Sequence, residues 1–104
     1  MSGQLKSKTK KYVYVIFDYK GKPIYVGMGK GDRIRQHVRE AKSGKVGHKH
    51  NAVRKTLSIM GDLPVVIIRE NLNIEDAYDL EKLLISILGR YPNGPLLNIT
   101  GYGS

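Results

Sequence analysis

Arg33 and His37 stand four residues apart in a segment with helical periodicity, so both face one side. A guanidinium binds a phosphate with a two-pronged fork. That suits Arg33 to hold a scissile group and to offset the charge that develops on it. Just upstream, Gly27-Met28-Gly29-Lys30-Gly31 is a glycine-dense turn whose spacing matches neither a Walker A loop nor G-x-G-x-x-G. It serves as a tight strand-to-helix turn, and it would also let backbone N–H groups approach a phosphate. Glu81 lies mid-helix among Ala77, Leu84, Ile85 and Leu88. A carboxylate bordering an apolar stripe costs free energy unless it is paired or binds a metal; Lys82 and the basic half of the chain are the competing partners. Asn98, inside Leu96-Leu97-Asn98-Ile99, needs partners for its amide once buried. A tie between two loops would satisfy it. His48 and His50 sit among basic residues where a helix begins, placed either to meet a phosphate or donate a proton, or simply in an exposed loop.

These side chains need a frame. Residues 12–18, Tyr-Val-Tyr-Val-Ile-Phe-Asp, are β-branched and aromatic and predict a strand; residues 23–27 predict a second. The turn Tyr19-Lys20-Gly21-Lys22 joins them as a hairpin. With Asp18 opposite Pro23, Ile16 faces Tyr25 and Tyr14 faces Gly27, which puts Tyr14 and Tyr25 on one sheet face as diagonal neighbours. Asp32 is placed to cap a helix running to about Ala41 or Lys42, with Ile34, Val38 and Ala41 inward. A second helix is expected from about His50 to Ile59. Leu63 to Arg69 reads as a third strand, its apolar run suggesting a central, buried one. Asn73 caps a third helix ending near Leu88, with Ala77, Leu80, Leu84, Ile87 and Leu88 inward. The order β-β-α-α-β-α predicts an α+β fold: a small three-stranded, mostly antiparallel sheet flanked by helices.

The 104 residues suffice for one core and one domain, here residues 12–104 behind a basic, flexible arm over residues 1–11. No repeat or linker is visible. The chain has no Cys, which excludes disulfides and thiolate metal sites. Its apolar runs are too short to span a membrane, and no apolar segment follows the lysine-bearing start, so a cytoplasmic protein is expected. The net charge of +9 is uneven: residues 1–55 hold 15 of the 18 Lys and Arg against Asp18, Asp32 and Glu40. Such a basic half is the footprint of a polyanion partner, usually nucleic acid. Lys30, Arg35, Arg39, His48, Lys49 and Arg54 are the candidate backbone contacts; for Arg35 and Arg39 a solvated basic helix face is the preferred reading, with non-specific backbone contact as its use.

Tyr12-Val13-Tyr14, followed eleven positions later by Tyr25-Val26-Gly27, resembles the paired motif of the GIY-YIG nucleases. Arg33 with His37 one turn on, Glu81 on a later helix and Asn98 near the end resemble that family's remaining elements, in order, over Tyr12 to Ile99. The Gly-Met-Gly-Lys-Gly turn and Leu96-Leu-Asn-Ile-Thr-Gly101 resemble one of its subgroups, whose free-standing members occur in phages and mobile elements. The resemblance departs at Tyr-Val-Tyr in place of Gly-Ile-Tyr and at Met28, where lysine is common; Lys30 is the candidate replacement. It implies a DNA endonuclease using one magnesium or manganese ion, either homing-type or structure-selective, with low sequence preference. Glu81 would be the sole protein ligand of that metal, and Arg33 would stabilise phosphorane-like charge, with Arg35 the competing assignment. Tyr14 would orient or deprotonate water, Tyr25 would bind phosphate or support Tyr14, and Gly27 and Asn98 would support the site. Which tyrosine is the base stays open, as does nicking against double-strand cleavage. A second copy or a separate DNA-binding partner would supply further contacts. The alternatives are a DNA-binding module that keeps the fold without cutting, and a basic structural subunit.

Overall fold

The computed structural model describes residues 10–98. Most of the expected arm, residues 1–9, and the closing residues 99–101 of the resemblance lie outside that range. The elements are β1 (Lys11–Phe17), β2 (Pro23–Gly29), α1 (Arg33–Lys42), α2 (His48–Met60), β3 (Val65–Leu72) and α3 (Ile74–Leu88). The strands form one antiparallel sheet in the order β2-β1-β3. The protein is therefore α+β, with three strands and three helices among the described residues, as expected. Lys11 belongs to β1 rather than to an arm. Among the described residues, no helix is long and apolar enough to cross a membrane.

The hairpin adopts the expected register, Tyr14 opposite Gly27 and Ile16 opposite Tyr25. A bulge after Ile16 puts Phe17, not Asp18, across from Pro23. Asp18 instead builds the turn: its carboxylate accepts from the backbone N–H groups of Lys20 and Lys22, both at 2.9 Å.

The third strand departs from expectation. It is an edge, and β1 is the centre. Val66, Ile67 and Ile68 remain 40% to 49% exposed. Once β1 and β2 pair as a hairpin, the third strand of the three can only be an edge; at the other side of the sheet, residues 97 and 98 lie along the free edge of β2. Leu97 N–H donates to Ile24 O at 2.7 Å. The Asn98 side chain accepts from Val26 N–H at 3.2 Å and donates to Val26 O at 2.8 Å. With that edge closed, β3 takes the open side of β1.

Two apolar clusters sandwich the sheet. Tyr14, Ile16, Ile24 and Tyr25 pack under α1 and α2 through Ala41 and Val53. Val13, Val15 and Val26 pack on the other face against Ala77 and Ile85 of α3. This alternation is the period-two pattern of a strand buried on both faces. Asn73 caps α3 as expected, accepting from Asp76 N–H at 2.8 Å. Asp32 stands at the N-cap of α1 without a side-chain cap, its carboxylate lying 3.5 Å from Arg39 instead. Helix α2 starts two residues earlier than expected, at His48. Ile87, expected inward, is exposed, because the buried line of α3 runs through Ala77, Glu81 and Ile85.

Candidate active site

The hairpin projects Tyr14 and Tyr25 to the face beneath α1 and α2, with ring centroids 6.2 Å apart. Gly27 makes that approach possible. A Cβ there would lie 2.6 Å from the Tyr14 hydroxyl oxygen and 2.8 Å from the Tyr25 ring, closer than real contacts allow. Gly29 does the same for Arg33, whose Cβ would be 2.6 Å from an added methyl. Tyr12 anchors the glycine turn by donating to Gly31 O at 2.8 Å.

Helix α1 lowers His37 between the tyrosines. Its Nε2 lies 2.5 Å from the Tyr14 oxygen, and its ring stands edge-on to Tyr25 at 4.7 Å. From α2, Lys49 Nζ approaches His37 Nδ1 at 3.3 Å and sits 4.8 Å over the Tyr25 ring. An ammonium only donates, so Nδ1 must accept and the imidazole proton belongs on Nε2, aimed at the Tyr14 oxygen. The Tyr14 hydroxyl proton is then directed elsewhere. Burial, followed by the charges of Lys49 and Arg33, pushes the His37 pKa down to about 3, so the ring is neutral. Burial holds both phenols in the protonated form: Tyr14 is raised well above the usual range, and Tyr25 to about 12. Arg33 opposes the shift in both, and it also hydrogen-bonds Tyr25. Arg33 donates to Gln36 at 2.9 Å, Gln36 to Glu40 at 3.3 Å, and Glu40 lies 4.0 Å from Lys49. A continuous polar chain thus links Arg33 to His37.

Glu81 enters from α3, on the Val13–Val15–Val26 side of the sheet. It is 1% exposed, and its Oε1 has no hydrogen-bond partner. Burial raises its pKa to about 7, and its charge acts on both Tyr14 and Tyr25. Lys82, a competing partner from the sequence, lies instead over the Tyr78 ring. Among the described residues, no cluster of three or more His, Asp or Glu side chains is placed to enclose a metal. A lone buried carboxylate with an unpartnered oxygen nonetheless fits magnesium, which keeps several waters and takes one or two protein carboxylates with substrate phosphate.

The remaining candidates separate into three groups. Lys30, Arg35, Arg39 and His48 are exposed, Arg35 and Arg39 on the solvent side of α1. Arg54 ties backbone together: it donates to Ala41 O at 2.8 Å and Lys45 O at 2.7 Å, and also bonds Asn51. Asn98 uses both amide atoms on Val26, next to Tyr25, so it positions the strand that carries the tyrosine. Lys49, expected as a phosphate contact, turns inward to His37. Its spacing was the available signal, since it precedes the buried Val53 by one helical turn. Glu40 and Gln36 carried no comparable signal. No protein family, curated protein or solved structure matches this chain.

Proposed function

We propose that this chain is a metal-dependent DNA endonuclease of the GIY-YIG type. The observation that carries the reading is the meeting of Tyr14, Tyr25, Arg33 and His37 at one point, with the charge of buried Glu81 acting on both tyrosines. Supporting it are the order of the motifs in the sequence and the basic first half of the chain.

In this mechanism Arg33 grips the scissile phosphate and offsets charge that grows on its oxygens. Tyr14 is fully buried in the free protein, so it would orient the attacking water, through the hydroxyl proton that His37 leaves free, once substrate opens the site. The raised Tyr14 pKa makes orientation its role; proton abstraction requires the positive charge that assembles with substrate. Tyr25, tied to Arg33, keeps the guanidinium in place. Glu81 would hold magnesium or manganese, which supplies Lewis-acid stabilisation of the phosphate. Its unpartnered oxygen is the feature of this chain that fits such an ion.

The test is incubation with supercoiled plasmid and branched DNA, with magnesium and with chelator, beside Glu81→Ala. Magnesium-dependent cutting lost in the variant is the expected result. No cutting by either protein, with equal DNA binding by both, would favour a binding module that keeps the fold.

A further inference from the structure

Beside the tyrosine cluster lies a second concavity of about 300 Å³, at the junction of the α1–α2 loop, the start of α2 and the chain after α3. Two of its features are aromatic. The His48 and Tyr91 rings lie 5.3 Å apart at 37°, and Tyr91 is 61% exposed. His50 and Lys49 add polar side chains to the lining, and Lys49 also approaches the His37 site. The floor is Leu97 and Asn98, which are held to β2. The Tyr91 loop is already ordered: Tyr91 N–H donates to Leu96 O at 2.6 Å, and Leu96, fully buried, donates to Gly89 O at 3.0 Å. Little ordering cost would attend a ligand arriving there.

We infer that this concavity is a nucleobase pocket, which receives one unpaired base of the DNA strand whose phosphate lies against Arg33. The inference rests on the nuclease reading and narrows its substrate to DNA with an unpaired nucleotide beside the scissile phosphate, as in a flap or branch. Exposed Tyr91 and His48 offer ring faces for stacking, which tolerates any base. His50 and Lys49 line the space with polar groups that would meet the polar edge of a heterocycle. The volume is at the small end of ligand clefts, room for one planar ring system. A paired base cannot enter, because its faces are stacked and its edge is closed. Lys49, shared by pocket and site, places the base next to the reacting phosphate.

The experiment is binding of the full chain, in chelator, to two DNAs carrying 2-aminopurine: one in a short single-stranded flap, one fully paired. The flap should bind more tightly and its fluorescence should be quenched. Tyr91→Ala should weaken flap binding about 5- to 150-fold and leave duplex binding unchanged, while Tyr91→Phe retains the preference. An unchanged melting temperature would show that exposed Tyr91 is not holding the fold. Equal affinity for the two DNAs, or an equal loss on both in Tyr91→Ala, would overturn the pocket. Cutting is scored separately with magnesium. A chain that prefers the flap and never cuts keeps the pocket and loses the nuclease; one that cuts through Glu81 without preference does the reverse.

Discussion

His37 and Glu81 are both 1% exposed, on opposite sides of one sheet, and the molecule treats them in contrary ways. Both nitrogens of His37 are engaged, one by Tyr14 and one by Lys49. Glu81 keeps an oxygen without a partner. Burial favours the neutral form of each, so it lowers the histidine pKa and raises the carboxyl pKa. The histidine is a finished piece of structure, with its tautomer set in advance. The carboxylate is an unfinished one, destabilising until a positive partner arrives. Under the proposed nuclease reading, the preordered histidine would help order the substrate side and the open valence of the carboxylate would hold the metal.

The largest effect should come from removing the open valence. Glu81→Gln should lower DNA cleavage by on the order of 10²-fold or more in a plasmid assay, while stabilising the metal-free protein. At pH 8 the buried charge is gone, a difference on the order of 3 kcal/mol given a folded pKa of about 7 against 4.5. A variant that melts lower than the parent at pH 8 would contradict the unpartnered state of Glu81. Gly27→Ala comes next. Its methyl collides with Tyr14 and Tyr25, so a loss of about 1–3 kcal/mol in urea unfolding is expected together with loss of cutting.

The contrast also has a pH signature. Between about 4.5 and 7 folded Glu81 keeps a proton that the unfolded chain has released, so stability falls as pH rises. Between about 3 and 6.5 folded His37 lacks a proton that the unfolded chain binds, so stability falls as pH drops. Where the windows overlap, about 4.5 to 6.5, the slopes oppose at ~1.4 kcal/mol per pH unit each and cancel. His50, whose pKa burial also lowers, adds a fall toward acid, so the metal-free protein should show only a shallow acid-side decline there. Glu81→Gln should uncover the histidine slope, with stability falling toward acid; a flat profile in that variant would remove His37 from the balance. The smallest effect is at Lys49→Met. Nitrogen NMR of His37 should find the proton on Nε2 in the parent and a mixture of tautomers in the variant, with kcat reduced and KM little changed.

Local chemistry made much of this legible. The alternation of residues 12–18, the short turn and the Tyr14–Gly27 pairing follow from period-two patterning, and the Arg33–His37 face and the Asn73 cap follow from helical spacing. What escaped is set by distant partners. The centre of the sheet went to β1 because Leu97 and Asn98, more than seventy residues from β2, close its edge. The apolar content of Val65–Ile68 reports strand propensity and not position in the sheet. Arg54 and Lys49 read as surface charge because no local pattern shows which carbonyl or imidazole a long side chain will meet. The same holds for Asp32, whose carboxylate was drawn to Arg39 rather than to the helix it precedes.

The closure of β2 by Leu97 and Asn98 also governs how copies of the molecule can meet. A sheet with two free edges can add neighbours on both sides and grow without limit. Here the described residues leave one free edge, the exposed apolar β3. A second copy that pairs through β3 uses the free edge that the described residues of each copy leave. Among the described residues, pairing of two copies through β3 leaves no further free edge, which favours a closed pair over a fibre.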